Sequence, residues 1–243
     1  MTTSITTHNP VRSDLNGTER VQIRPTTRTG RSWAVAGIGS AIAGMATVVT
    51  SSMVDTVYTP EFNGTTDGVA EALGDKVPVM FAFHSITVVG ALLMVVFAAG
   101  LLRRLRDAMP DSIAPMVAFS GLVGTAVVSV LGSGLDTEYM MGLAQDDGLV
   151  DDANASMYNH WIGTIPWVWV LAGLAGLALF AAYRQGVVPR WIGLVGLVLG
   201  GLTALLGISP LEYMAAVTGS LWLLATAIGF TVGDRKHRAA AVR

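Results

Sequence analysis

Residues 78–102 read PVMFAFHSITVVGALLMVVFAAGLL, and this stretch decides the fold. It contains no Asp, Glu, Lys or Arg, and apolar side chains fall on every face of the helix that it would form. About 20 apolar residues, each rising 1.5 Å, cross a hydrocarbon layer that is ~30 Å thick. A helix that is apolar all round is typical of a membrane span or of a fully buried core helix.

Five further stretches share this character, which predicts a bundle of six membrane-spanning helices. The predicted spans cover residues 33–54, 78–102, 113–135, 161–182, 191–208 and 213–232. Only 13% of the 243 residues are charged, whereas soluble domains carry about 25%. A soluble fold would have to bury all six helices with nothing left to cover them. The predicted fold class is therefore all-α, a polytopic helical bundle whose partner is the lipid bilayer.

The basic residues predict how the bundle is oriented. All but one of the 15 Lys and Arg residues fall on one side of the six spans, and only Lys76 falls on the other. The positive-inside rule then places both termini in the cytoplasm and residues 55–77 and 136–160 outside. Three segments follow from this arrangement. They are a disordered cytoplasmic arm over 1–32, the six-helix domain over 33–232 and a cytoplasmic tail over 233–243.

The composition excludes several kinds of functional site. The chain has no Cys, which removes disulfides, thiolate metal sites, iron–sulfur clusters and cysteine nucleophiles. It has no Walker motif, dinucleotide fingerprint or GxSxG sequence. No basic patch is dense enough for a nucleic acid. The sequence therefore predicts no cofactor and no nucleic-acid partner, and it disfavours an enzyme.

His84 is the one residue of the predicted spans that titrates near neutral pH. An ionisable group inside a span marks a functional site by default. It could be a metal ligand, a haem ligand or a proton acceptor. The alternative is a neutral imidazole that bonds a hydroxyl or carbonyl of a neighbouring helix. His160, at the mouth of the fourth span, could join such a site or belong to the interfacial aromatic belt.

Acidic residues lie on the same side as these histidines. Asp136 and Glu138 follow the third span, and Glu212 opens the sixth. With His84 and His160 they form a candidate polar site that could hold a metal. The spacing matches no metal signature, so the metal is unknown, and a solvated acidic loop is the alternative.

Small residues predict where helices approach closely. Ala36, Ser40 and Gly44 follow one another at four-residue spacing in the first span. The fifth span carries Gly193, Gly196 and Gly200, of which the last two form a GxxxG motif. Such faces let two helix backbones pack against each other, within one chain or between chains.

The last third of the chain carries a family resemblance. Residues 187–207, VVPRWIGLVGLVLGGLTALLG, and residues 212–230, EYMAAVTGSLWLLATAIGF, resemble bacterial six-span membrane proteins grouped as domain of unknown function 4386. These proteins share a Pro-Arg-Trp entry to a Gly-rich fifth span and a Leu- and Trp-rich sixth span. The resemblance implies a multi-pass protein of a bacterial plasma membrane. It implies no catalytic residue, because the family brings no established activity.

Three functional hypotheses follow. The first is an inner-membrane protein without a catalytic centre, which is structural, binds another membrane protein or a second copy of itself, or binds a small ligand. The second is a membrane enzyme or redox subunit with a metal or haem site at His84. The third is a small-molecule transporter or pore, which the scarcity of polar residues in the spans disfavours.

Overall fold

The apolar stretches form helices that are joined by short turns. The computed structural model describes residues 31–145 and 148–233, and these residues include no strand. The helices are α1 Ser32–Val54, α2 Val69–Gly74, α3 Val77–Arg106, α4 Ala114–Gly132, α5 Asp136–Gln145, α6 Asp152–Thr164, α7 Val170–Arg184, α8 Arg190–Val195, α9 Gly201–Ile208 and α10 Ala215–Ile228. Single π-helical segments join α8 to α9 and follow α10, at Gly196–Gly200 and Gly229–Gly233. The predicted arm and tail lie almost entirely outside the described residues.

Six stretches of the described chain are long and apolar enough to cross a membrane, which confirms the all-α, six-span fold class. They are Ser32–Val54, Val77–Arg106, Ala114–Gln145, Asp152–Arg184, Arg190–Ile208 and Glu212–Val232. The third and fourth stretches are longer than predicted, because they include α5 and α6. The sequence analysis assigns residues 136–160 to an outer loop and begins the fourth span at Trp161, which lies within α6.

The helices build two hydrophobic cores. The larger core lies within the bundle and includes Phe97, Leu122, Leu179 and Trp222. The smaller core is formed by α2, α5, α6 and the first turns of α3. We call α2, α5 and α6 the cap, and the end of the bundle that they cover the cap end. The predicted outer loops are therefore in large part a folded layer with its own buried side chains.

The fourth span is interrupted at Pro166. A proline has no N–H with which to bond the carbonyl four residues earlier, here that of Ile162. The hydroxyl of Ser51 on α1 donates to this carbonyl at 2.7 Å, and the indole N–H of Trp167 donates to the same hydroxyl at 3.2 Å. The break is therefore stabilised by a neighbouring helix, the usual solution for a proline within a span.

Basic side chains donate to backbone carbonyls at both ends of the bundle. Arg31 donates to the carbonyl of Thr231, and Arg104 donates to the carbonyl of Val187, each at 3.1 Å. At the cap end, Lys76 donates to the carbonyls of Val54 and Asp55, at 3.3 and 2.8 Å. A cation at a helix C-terminus is favourable because the helix dipole is negative there.

Candidate functional site

A buried carboxylate joins a histidine and a tyrosine at the cap end. Nδ1 of His84 lies 3.0 Å from Oδ2 of Asp136, and the hydroxyl of Tyr158 donates to Oδ1 at 2.9 Å. Asp136 is 0% exposed, so these two side chains replace the water that would otherwise solvate its oxygens. The ring of Tyr158 stacks on that of Tyr139, with centroids 4.3 Å apart and planes 6° from parallel. We call His84, Asp136 and Tyr158 the cap triad.

Three helices position the cap triad. His84 lies two turns into α3, Asp136 is the first residue of α5, and Tyr158 lies on α6. The chain turns tightly between α4 and α5, where the N–H of Asp136 donates to the carbonyl of Ser133 at 3.2 Å. A carboxylate is favourable at the N-terminus of a helix because of the helix dipole. The expectation of a solvated acidic loop is thus wrong for Asp136, because α5 and α6 enclose it.

The imidazole of His84 has one nitrogen bound and one open. Its side chain is 33% exposed, and no hydrogen-bond partner lies at Nε2 among residues 31–145 and 148–233. An ionised carboxylate only accepts hydrogen bonds, so the pairing with Asp136 places the imidazole proton on Nδ1. Nε2 then carries a lone pair, which can accept a hydrogen bond or a proton, or bind a metal ion.

His160 belongs to a separate pair. Its Nδ1 lies 2.8 Å from the hydroxyl of Tyr58, and the two rings meet edge to face. The neighbouring side chain of Asn159 is buried and accepts hydrogen bonds from the N–H groups of Thr56 and Val57, at 2.8 and 3.0 Å. These bonds position the segment that carries Tyr58. The two histidines therefore have different partners and lie in different local structures.

The structure joins two of the five residues predicted to form the polar site, His84 and Asp136. Glu138 is exposed on α5, and Glu212 is half-buried in a 3-10 turn before α10. In the part of the chain that the structure describes, no three His, Asp or Glu side chains are grouped closely enough to hold a metal ion. The His84–Asp136 pair is therefore the centre of the candidate site.

Asp55 and Lys76 form a second charged feature of the cap end. Burial raises the pKa of the Asp55 carboxyl and lowers the pKa of the Lys76 ammonium, and the opposite charge of the partner reduces each shift. Oδ1 of Asp55 is buried and has no hydrogen-bond partner among the described residues. An unpaired buried carboxylate oxygen is unfavourable, so we expect Asp55 to lower the stability of the fold.

The small residues of the first span lie on its buried face or at its edge. Ser40 donates to the carbonyl of Gly90 on α3 at 2.9 Å, and Gly44 lies against the ring of Trp169. Ala36 is half-buried at the edge of this face. Gly37, which the sequence analysis does not name, is buried there instead, and a methyl group on it would lie 2.9 Å from Cβ of Ala227.

The glycines of the fifth span face α7. A methyl group on Gly200 would lie 2.6 Å from Cα of Gly176. A methyl group on Gly196 would contact the carbonyl oxygen of Gly176. Gly193 lies against the ring of Tyr183. The partner residue Gly176 is not among the predicted packing residues, although Gly173 and Gly176 repeat the small-residue pattern on α7.

The middle of the bundle contains a cavity of about 10 Å³, which has room for one water molecule. Its polar lining includes the hydroxyls of Ser40, Thr47, Thr87 and Ser129. Thr47 and Thr87 bond each other at 3.1 Å, and Ser129 donates to the carbonyl of Thr125. The cavity is too small for an organic ligand, so the open nitrogen of His84 is the better candidate for ligand binding.

The sequence analysis misses Tyr158 and Tyr139. One signal was available: Asp136 and Tyr139 are three residues apart, which places them on the same side of a helix if residues 136–145 are helical. That signal points to α5 alone and does not reveal its packing against α6. The contact between Asp136 and Tyr158 becomes visible only in the folded cap.

Comparison with known proteins gives no relative from which a role can be inferred. No family model, no curated protein and no solved structure matches the chain. The resemblance of residues 187–230 to domain of unknown function 4386 stays a prediction. The functional argument rests on the geometry of the cap triad.

Proposed function

We propose that this chain is an integral membrane protein that binds a small ligand through His84 at the cap end. The enclosed carboxylate of Asp136 supports this proposal, since both of its oxygens are bound and one of them orients the imidazole. Replacing both partners of an enclosed hydrogen bond with apolar groups of the same shape can be nearly neutral or stabilising. Stability alone therefore does not explain the pair, whereas the need to orient a ligand-binding imidazole does.

Ligand binding fits the geometry better than nucleophilic catalysis. A nucleophilic triad needs a hydroxyl or thiol within hydrogen-bond distance of the histidine. In the described chain, His84 bonds Asp136 alone, and no Ser or Thr hydroxyl contacts its Nε2. A second candidate is an enzyme in which His84 accepts a proton from a bound substrate. The same orienting carboxylate favours that role, because it fixes the tautomer and orientation of the imidazole.

We further propose that the protein resides in a bacterial plasma membrane with both termini in the cytoplasm. The distribution of basic residues along the sequence supports this orientation, since the predicted topology puts all but one of the 15 Lys and Arg residues on the same side. A reporter enzyme that is active only in the cytoplasm should therefore be active when it is fused after Arg243. Activity of a periplasmic reporter at that position would contradict the orientation.

Purification of the full chain from its own membranes tests ligand binding at His84. Mass spectrometry of a solvent extract should show a small molecule in stoichiometric amount with the wild-type protein. His84→Gln should lose this molecule, because the amide cannot present a ring nitrogen at the same position. His160→Gln is the matched control and should retain it, since His160 also has a bound Nδ1 and lies outside the cap triad.

The same samples separate the alternatives. Identical extracts from wild type and both variants would contradict ligand binding at His84. A haem absorption band or a stoichiometric metal that disappears in His84→Gln would favour the redox hypothesis. Proton transfer to His84 would instead be indicated by turnover of the extracted molecule by wild type and not by Asp136→Asn.

A further inference from the structure

His84 lies near one boundary of the apolar layer that the bundle would span. Leu102 is the last apolar residue of α3 before Arg103. Counting back about 20 residues, the number that crosses ~30 Å of hydrocarbon, leads to about Phe83. Met80 and Phe83 pack into the core of the cap instead of facing lipid. His84 is therefore at the depth where the hydrocarbon layer meets the polar headgroups.

The helix that carries His84 and the neighbouring helix α4 expose apolar side chains. Phe81 and Leu92 on α3 are 48% and 61% exposed, and Leu131 on α4 is 57% exposed. In a membrane-spanning bundle, such side chains face the acyl chains of lipids. Asp136, which bonds the imidazole, is 0% exposed, whereas the side chain of His84 is 33% exposed. The imidazole thus lies between an enclosed carboxylate and the surface of the bundle.

The hydrogen bonding of the pair limits what can bind. Asp136 is bound to Nδ1, and Nε2 lies on the other side of the ring, where its lone pair needs a hydrogen-bond donor. An ionised carboxylate directly behind the ring repels an anionic group such as a lipid phosphate. A neutral hydroxyl satisfies both conditions, because it donates a hydrogen bond and carries no negative charge. It also lies at this depth when it is attached to an apolar body in the bilayer.

We infer that the ligand of His84 is a neutral, hydroxyl-bearing amphiphile that reaches the site from within the bilayer. Its hydroxyl donates a hydrogen bond to Nε2 of His84, and its apolar body lies along Phe81, Leu92 and Leu131. This inference rests on the proposed ligand-binding function of His84. It adds the chemical class of the ligand and the side from which the ligand enters.

Carbethoxylation by diethyl pyrocarbonate tests the inference, because this reagent modifies unprotonated imidazole nitrogens. The full chain is reconstituted in phosphatidylcholine vesicles, and peptide mass spectrometry measures the modification rates of His84 and His160. At a dose of 1-dodecanol that fills nine sites in ten, modification of His84 should slow about tenfold. Dodecane, which lacks the hydroxyl, and glycerol, which stays in water, should leave that rate unchanged. The rate at His160 is the internal control in every arm.

Every other outcome contradicts either the inference alone or both the inference and the proposed function. Slowing by glycerol without slowing by dodecanol would overturn the inference and leave ligand binding at His84 in place, with entry from water. Equal slowing by dodecane and dodecanol would also overturn it, since acyl-chain crowding alone would then explain the effect. If neither hydroxyl compound slows the reaction, or if His84 does not react at all, both the inference and the proposed function fail.

Discussion

Nδ1 of His84 and Oδ2 of Asp136 lie 3.0 Å apart, and this contact joins the membrane-spanning helix α3 to the cap. Because Asp136 is fully enclosed, loss of the imidazole leaves one carboxylate oxygen without a donor. We expect His84→Leu to lower the free energy of unfolding in detergent by about 1–2 kcal/mol. His84→Gln should lose less, because an amide can still donate. Chemical denaturation of the purified variants measures both.

A double-mutant cycle provides the control for this contact. Asp136→Leu alone leaves the Nδ1–H of His84 and the hydroxyl of Tyr158 unpaired, whereas His84→Leu with Asp136→Leu removes both partners of the His84–Asp136 bond. The loss of stability in the double variant should therefore be smaller than the sum of the two single losses. Strict additivity would show that the two side chains do not interact in solution.

The break in the fourth span gives a second prediction. Ser51→Ala removes the hydroxyl that donates to the carbonyl of Ile162, which Pro166 leaves without its helical partner. We expect a loss of about 1 kcal/mol, because the carbonyl is buried. Ser52→Ala is the matched control, since Ser52 is exposed and its hydroxyl bonds only the carbonyl of Val48 on the same helix. Equal effects of the two substitutions on the unfolding midpoint would contradict this role of Ser51.

The fifth span gives a third prediction. A methyl group on Gly200 would lie 2.6 Å from Cα of Gly176, and backbone atoms cannot move aside as a flexible side chain can. Gly200→Ala should therefore destabilise the bundle by about 1–3 kcal/mol. Gly201→Ala meets nothing closer than a side-chain carbon of Leu177 at 3.8 Å and should be neutral or slightly stabilising, because Ala is the better helix former. Detergent melting curves of the two neighbouring variants test the difference, and equal melting would show that Gly200 does not contact α7.

Asp55 gives a prediction about pH. Burial raises its carboxyl pKa in the folded protein above the usual 3.8. Ionisation of Asp55 then destabilises the fold. Below pH 3.8 the carboxyl is protonated in both the folded and the unfolded chain, so the effect is absent. It grows as the pH rises from 3.8 to the raised pKa and is complete above that pKa. Asp55→Asn should therefore increase the melting temperature at pH 7 and lose this advantage as the pH falls towards 3.8.

The neighbouring Asp75→Asn makes the same charge change at an exposed position and is the control. It should shift the melting temperature little at either pH, because an exposed carboxylate is solvated in both the folded and the unfolded chain. A pH-independent gain in Asp55→Asn would show that burial of the charge is not its cause.

The sequence by itself determined the membrane-spanning architecture. Length and apolarity are properties of each stretch alone, so the six helices could be found without knowledge of their neighbours. The sequence also identified His84, because an ionisable residue stands out in residues 78–102, which contain no other. The glycines of the fifth span were recognisable for the same local reason, since four-residue spacing places them on one face.

Only the tertiary structure decided what these residues contact. Asp136 is one of several acidic residues between the third and fourth spans, and nothing in its neighbourhood distinguishes it from the exposed Glu138. Its partners are 52 and 22 residues away, so they meet only after α5 and α6 have folded over the end of the bundle. The partner of Gly200, Gly176 on α7, could not be predicted for the same reason. Helix formation follows from nearest neighbours along the chain, whereas these contacts depend on the way in which the completed helices pack.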